Sequence, residues 1–130
     1  MFKAIDAATK MVITTRPEAP IYDAIRIMAS RNITGLPVVD ADLNVVGVLS
    51  EKDVLKLLYD TLDRADQTVA DYMSTHVVTL DTNATLIDLC DCLMSGNFRR
   101  VPITEDGKLC AIASISDVIQ GILRIKRQAP

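Results

Sequence analysis

The stretch MVITTRPEAPIYDAIRIMASRNITGLPVVD, starting at Met11, returns as HVVTLDTNATLIDLCDCLMSGNFRRVPITE, starting at His76. At a constant offset of 65 positions Thr14 meets Thr79, Ala19 meets Ala84, Asp23 meets Asp88, Asn32 meets Asn97 and Pro37 meets Pro102. Ile21 with Leu86, Met28 with Leu93, Ile33 with Phe98 and Val38 with Ile103 keep the apolar pattern between them. The register then slips by one residue in a turn, and GVLSEKDVL at 47–55 meets AIASISDVI at 111–119. Ser50 thus pairs with Ser114 and Asp53 with Asp117 at an offset of 64. A duplication of this length constrains the fold more than any other feature, because both copies must adopt one local structure.

Periodicity gives that structure. Val12–Thr15 is a short β-prone run, and Pro20–Arg31 carries Ile21, Ala24, Ile25 and Met28 at the spacing of one helix face. Pro20 suits the first turn of a helix. Two strands follow, Leu36–Val39 and Val45–Leu49, separated by the turn-forming DADLN. After Ser50, Val54, Leu57, Leu58 and Leu62 resume helical spacing. The second copy reads the same way: Val77–Leu80, Thr85–Ser95, Val101–Thr104, Leu109–Ala113 and a helix over 115–126, with EDGK as the shorter turn. The connector DRADQTVADYMST at 63–75 is polar, with a helical turn expected near Val69–Met73. The expected class is therefore α+β, two tandem β-α-β-β-α repeats over 1–65 and 66–130. Neither copy has enough elements to bury both faces of its sheet, so they are expected to pack about a pseudo-twofold axis. Ile21, Met28, Leu86 and Leu93 are the expected core stripes.

Bulk properties exclude several functions. The chain is one domain's worth of an ordinary globular composition, 49% apolar and 24% charged. A net charge of −3, with scattered basic residues, is no nucleic-acid footprint, and 4% aromatics without tryptophan make no stacking platform. No apolar run approaches the roughly 18 residues of a membrane span, and MFKAIDAATK has no signal-peptide core, so the expected location is the cytoplasm. Cys90 and Cys92 stand two apart in a helical segment and point away from each other. With His76 as the single histidine, zinc is not expected, and the three cysteines read as reduced, mostly buried thiols. Nothing resembles a P-loop, a dinucleotide fingerprint or a Cys–His nucleophile pair, so no enzyme is expected.

The repeated Ser-x-x-Asp admits two readings. A serine oxygen capping a helix, with an acid three residues on, is a helix start. The same geometry can hold ligand groups, because a helix N-terminus attracts anions and a carboxylate accepts hydroxyl donors. Here the resemblance decides. Two copies of β-α-β-β-α, each entering a strand through apolar-Pro-apolar (GLPVV, RRVPI) and closing on a G-x-x-[ST]-x-x-D type motif, resemble a pair of CBS domains, or Bateman module. TVADYMSTHVVTLDTNATLID also resembles the entry of a family repeat, and the likeness covers nearly the whole chain.

The resemblance implies a regulatory module that binds AMP, ADP, ATP or S-adenosylmethionine in clefts between the repeats and commonly forms a homodimer. Asp53 and Asp117 would hold ribose hydroxyls, with Ser50 and Ser114 on the phosphate side. Thr14 and Thr79 would lie near adenine or ribose, with the backbone around Pro37 and Pro102. No catalytic cofactor or metal is implied. An unidentified effector protein is the expected recipient of the signal, and neither nucleic acid nor membrane is an expected partner.

The copies are not equivalent. NFRRVP puts Arg99 and Arg100 where NITGLP has Thr34 and Gly35, and basic residues there resemble the phosphate-binding residues of nucleotide-binding family members. No comparable pair stands beside Ser50 and Asp53. Ala111 departs from the pattern by replacing the glycine that is Gly47 in the first copy, and its methyl group is expected to narrow the cleft. The expectation is one principal site using Asp117 and Arg100 and a second that is weaker or empty. Read without the resemblance, Arg99 and Arg100 are solvated surface arginines and Thr14 and Thr79 plain strand residues. A structural dimerisation module without a ligand is the alternative function.

Overall fold

The computed structural model describes residues 2–60, 66–96 and 99–128. Leu62, residues 63–65, Asn97 and Phe98, which the repeat and the helical spacing had included, lie outside the described residues. Apart from the opening strands and the helix after Ser50, the periodic segments become the expected elements within a residue or two. In the first copy these are helix α2 (Ile21–Arg31) and strands β1 (Gly35–Val39) and β2 (Val45–Ser50). A short helix α3 (Glu51–Leu55) follows and tightens into a 3₁₀ turn over Lys56–Tyr59. In the second they are β3 (Leu80–Asp81), α5 (Leu86–Ser95), β4 (Arg100–Glu105), β5 (Lys108–Ser114) and α6 (Ile115–Gln128). Two four-residue helices precede the copies, α1 (Ala4–Ala7) and α4 (Val69–Tyr72).

The opening strands are shorter than the β-prone runs suggest. Val12–Thr15 reduces to one parallel bridge, Thr15 with Val38, and Val77–Leu80 becomes the two-residue β3, with Leu80 opposite Ile103. In both copies this pairing starts one residue after the buried Pro37 or Pro102, where the missing N–H removes no bond from the parallel ladder. β1 and β4 each pair antiparallel with the strand that follows, placing Pro37 opposite Val48 and Pro102 opposite Ile112. The turns explain the one-residue slip. Asp106 (φ 52°) and Gly107 (φ 81°) form a two-residue loop of the primed kind, which matches the twist of a hairpin. The longer DADLN is organised by Asp40, whose Oδ1 accepts N–H groups from Asp42 and Asn44, both at 2.9 Å. Helix α2 stops because Asn32 adopts the left-handed conformation (φ 53°), which asparagine tolerates, and its N–H bonds to Met28 O.

Compactness divides the chain differently from sequence repetition. One unit is 13–77; the other joins 1–12 to 78–130. The segment leading into each copy therefore completes the other copy's unit. In 13–77, Val69 N–H donates to Ala19 O (2.9 Å), Ile21 N–H to Gln67 O (3.0 Å), and Val48 and Ser74 exchange two bonds of 2.9 Å. In the other unit Ala4 N–H donates to Ala84 O (2.9 Å), Leu86 N–H to Phe2 O (3.1 Å), and Ile112 and Thr9 exchange bonds of 3.0 and 2.9 Å. The sequence boundary at 65/66 does not mark these units, because α1 and α4 bury their apolar sides away from the copy each precedes.

Each unit has its own core. The first gathers Ile21, Ala24, Met28, Leu36, Val38, Leu49, Leu57, Val69 and Tyr72. Tyr72 is fixed at its polar end, accepting from Gln67 Nε2 at 2.6 Å and donating to Asp60 Oδ2 at 2.7 Å. The second gathers Ala4, Leu89, Leu93, Val101, Ile103, Ala111 and Ala113, with the half-buried Leu86 packed against them. The expected stripes are thus core, whereas Leu58, also placed on an apolar helical face, is exposed because the 3₁₀ turn changes the angle between successive side chains. Deleting residues 1–9 should destabilise the unit containing 78–130 by about 2–4 kcal/mol, the loss of several net hydrogen bonds and the burial of Ala4. Amide exchange should quicken at Leu86 and Ile112 and stay unchanged at Val48.

Candidate functional site

Ser50 and Ser114 each end a strand and begin a helix, and both make reciprocal caps. Ser50 N–H donates to Asp53 Oδ2 at 2.9 Å, and Asp53 N–H donates to Ser50 Oγ at 3.3 Å. Ser114 N–H donates to Asp117 Oδ2 at 2.9 Å, and Asp117 N–H to Ser114 Oγ at 3.2 Å. The cap is not unique to these positions. Thr85 and Asp88 make the same pair of bonds at 2.8 and 3.1 Å, and Thr68 N–H donates to Asp71 Oδ2 at 2.8 Å. Burial separates the two classes: Asp71 and Asp88 are exposed, Asp117 is half-buried and Asp53 is buried.

The two Ser–Asp sets differ in their surroundings. Across the strand pair, Gly35 stands opposite Ser50 and Arg100 stands opposite Ser114. Directly opposed residues of an antiparallel pair share a face at about 4.5–5.5 Å between Cβ atoms, so Arg100, Ser114 and Asp117 are gathered at one strand-to-helix junction. Arg99, exposed, immediately precedes β4, and neither arginine has an ion-pair partner among the described residues. Asp117 opens a helix of fourteen residues, long enough for its N-terminal dipole to favour an anion. Asp53 opens a helix of five.

One charged neighbour escapes the sequence reading. Lys56 Nζ lies 3.5 Å from Asp53 Oδ1, so the first set does have a basic neighbour. The signal was the spacing, three residues after the acid in EKDVLK. At the repeat position of Lys56 the second copy has Gln120.

Thr14 is half-buried and Thr79 exposed, and neither hydrogen-bonds to the Ser–Asp sets among the described residues. Thr15 makes the backbone link instead, its N–H donating to Pro37 O at 3.0 Å and its carbonyl accepting from Val39 at 3.0 Å. The departure at Ala111 has a physical explanation. A Cβ on Gly47 would sit 2.8 Å from Ser74 O and 2.9 Å from Met73 Sδ. The repeat position of Met73 is Ala8, which packs against the cluster containing Ala111. A methyl group on this strand thus accompanies a smaller side chain at the repeat position of Met73.

The free cysteines are all half-buried, and burial pushes the Cys92 thiol up from its ordinary value. Cys110 is raised by burial and then by the Glu105 and Asp81 carboxylates, with Lys10 opposing. Among the described residues no three His, Cys, Asp or Glu side chains are placed to hold a metal ion, and no helix is long and apolar enough to cross a membrane.

A family described as "CBS domain" matches residues 3–60 and 69–124. A 17.7 kDa protein of Acidianus ambivalens is 33% identical over 126 residues, covering 95% of this chain and 74% of that protein. Protein MJ1225 of Methanocaldococcus jannaschii is 28% identical over 109 residues, covering 84% of this chain but 39% of that one. The crystal structure of CBSX2 from Arabidopsis thaliana in complex with AMP matches with a TM-score of 0.88 and 28% identity, over 98% of this chain and all of the crystallised one. This chain spans 59% of the full CBSX2 sequence.

Ser114→Ala and Thr85→Ala should each lower stability by about 1 kcal/mol through loss of the cap, measured by urea unfolding.

Proposed function

This chain belongs to the CBS domain family, and on that premise we propose that it is a non-catalytic regulatory module that senses an adenosine-containing ligand. AMP, ADP, ATP and S-adenosylmethionine are the candidates. The observation that carries the reading is the placement of Arg100 opposite Ser114, beside an Asp117 whose second carboxylate oxygen has no partner among the described residues. In this reading Asp117 accepts the ribose hydroxyls and Ser114 lies at the phosphate, with Arg100 and Arg99 as the charged donors. Thr79 and the backbone around Pro102 border the base and ribose. Ser50, Asp53, Thr14 and Pro37 form the corresponding weaker set. The AMP found in CBSX2 supports the ligand class.

Magnitudes favour unequal sites. A charge-assisted hydrogen bond to phosphate contributes roughly 1.5–3 kcal/mol, so an arginine in one set and a glycine in the other separates a nucleotide site from an adenosine site. In a thermal-shift panel of adenosine, AMP, ADP, ATP and S-adenosylmethionine, a bound ligand at a hundred times its Kd should add about 2.7 kcal/mol. Asp117→Ala should abolish that shift and Asp53→Ala leave most of it. Arg100→Ala should weaken AMP about 10- to 100-fold and leave adenosine within twofold. No shift with any of the five compounds would return the reading to a structural module.

A second repeated feature supports assembly into a homodimer. Leu55, Leu58 and Tyr59 are exposed on the segment after the first cap, and Ile119, Ile122 and Leu123 are exposed at the same repeat positions after the second. A duplicated apolar patch suits a partner carrying the same duplication, a second copy of the chain meeting it isologously. The homodimer would report ligand occupancy to an effector protein. Sedimentation velocity should give a dimer, and Leu58→Glu with Ile122→Glu should give a monomer.

A further inference from the structure

The two acids differ in one oxygen. In each set Oδ2 is taken by the cap N–H, at 2.9 Å from Ser50 N and from Ser114 N. Oδ1 takes no part in the cap. At Asp53 it is met by Lys56 Nζ at 3.5 Å; at Asp117 it has no partner among the described residues. We propose that Lys56 guards the Asp53 set, competing with ribose hydroxyls for that oxygen, so that the chain carries one open adenosine site and one held by its own lysine. The proposal rests on the adenosine-sensing reading above.

The local sequence explains why the guard exists on one side only. Helix α3 lasts five residues and tightens at Lys56 into a 3₁₀ turn, in which side chains three apart eclipse. Lys56 is thereby brought over Asp53. Helix α6 remains α-helical for fourteen residues and has the uncharged Gln120 three residues beyond its acid. The next cation on α6, Arg124, is occupied elsewhere, donating to Asp6 O at 3.0 Å. Exposure agrees: the Asp53 side chain keeps 11% of its surface accessible, whereas Asp117 is half-buried.

The lysine itself is 65% exposed, which bounds its effect. An exposed ion pair is worth at most about fivefold in an equilibrium, or about 1 kcal/mol. The guard therefore ranks the sites without sealing one of them.

Adenosine is the suitable probe, because it has no phosphate for a lysine to attract. Titration of the full chain can be followed by NMR at the Ser50 and Ser114 amides, one in each set. In the wild type the Ser114 resonance should move at lower adenosine than that of Ser50. Lys56→Gln should lower the Ser50 midpoint about fivefold, and Gln120→Lys should raise the Ser114 midpoint by a similar factor. Lys56→Arg, which keeps the charge, should leave the Ser50 midpoint where it was. Midpoints that stay within twofold in both charge-changing variants overturn the guard while leaving the sensing reading intact. Resonances that do not respond to adenosine at all overturn the sensing reading and the guard together.

Discussion

Two pairs of backbone hydrogen bonds set the rest of the structure: Val48 with Ser74, and Ile112 with Thr9. Each ties the second strand of a hairpin to a segment that leads into the opposite copy. Without it that strand would present an unpaired edge. With it, the strand is held from both sides two residues before Ser50 or Ser114, where the chain must turn from strand to helix. The position of the capping serines, and so of the acids, follows from where the leader docks.

From that anchoring point the cap does the local work and the neighbours supply the differences. The Ser–Asp geometry is almost the same in both copies, and threonine versions of it recur at Thr68 and Thr85. What gives a junction its chemistry is the residue across the strand pair and the residue one helical turn on. Gly35 stands opposite Ser50 and Lys56 lies 3.5 Å from the first acid; Arg100 stands opposite Ser114 and Gln120 follows the second acid by three residues. A single scaffold can therefore hold two junctions of unlike charge without any change in backbone plan.

Much of this was legible in the residues, and the parts that were not have a common cause. Apolar spacing placed α2, α5 and the paired strands because burial on one face sets those patterns; α6 keeps the helical spacing although Ile119, Ile122 and Leu123 are exposed. The opening strands are shorter than their β-prone residues suggest, since 12–14 and 77–79 find no neighbouring strand to bond among the described residues. The leader exchange was hidden because docking requires little beyond small or apolar residues: of positions 2–9 and 67–74, only Asp6 and Asp71 are identical. Lys56 was overlooked for another reason. A lysine three residues after an acid is ordinary on a helix surface, and its significance appears only once the acid's other oxygen is seen to be in use.

The contact of Gly47 with Met73 has a consequence for how the halves can change over time. Gly47 leaves room for the Met73 thioether, and the second copy carries Ala111 and Ala8 at the two corresponding positions. These are matched volumes carried by distant stretches of one polypeptide. Copying the second hairpin over the first would put a methyl group 2.8 Å from Ser74 O and 2.9 Å from Met73 Sδ. The first hairpin is thus fitted to its own docking segment, and its counterpart cannot simply take its place.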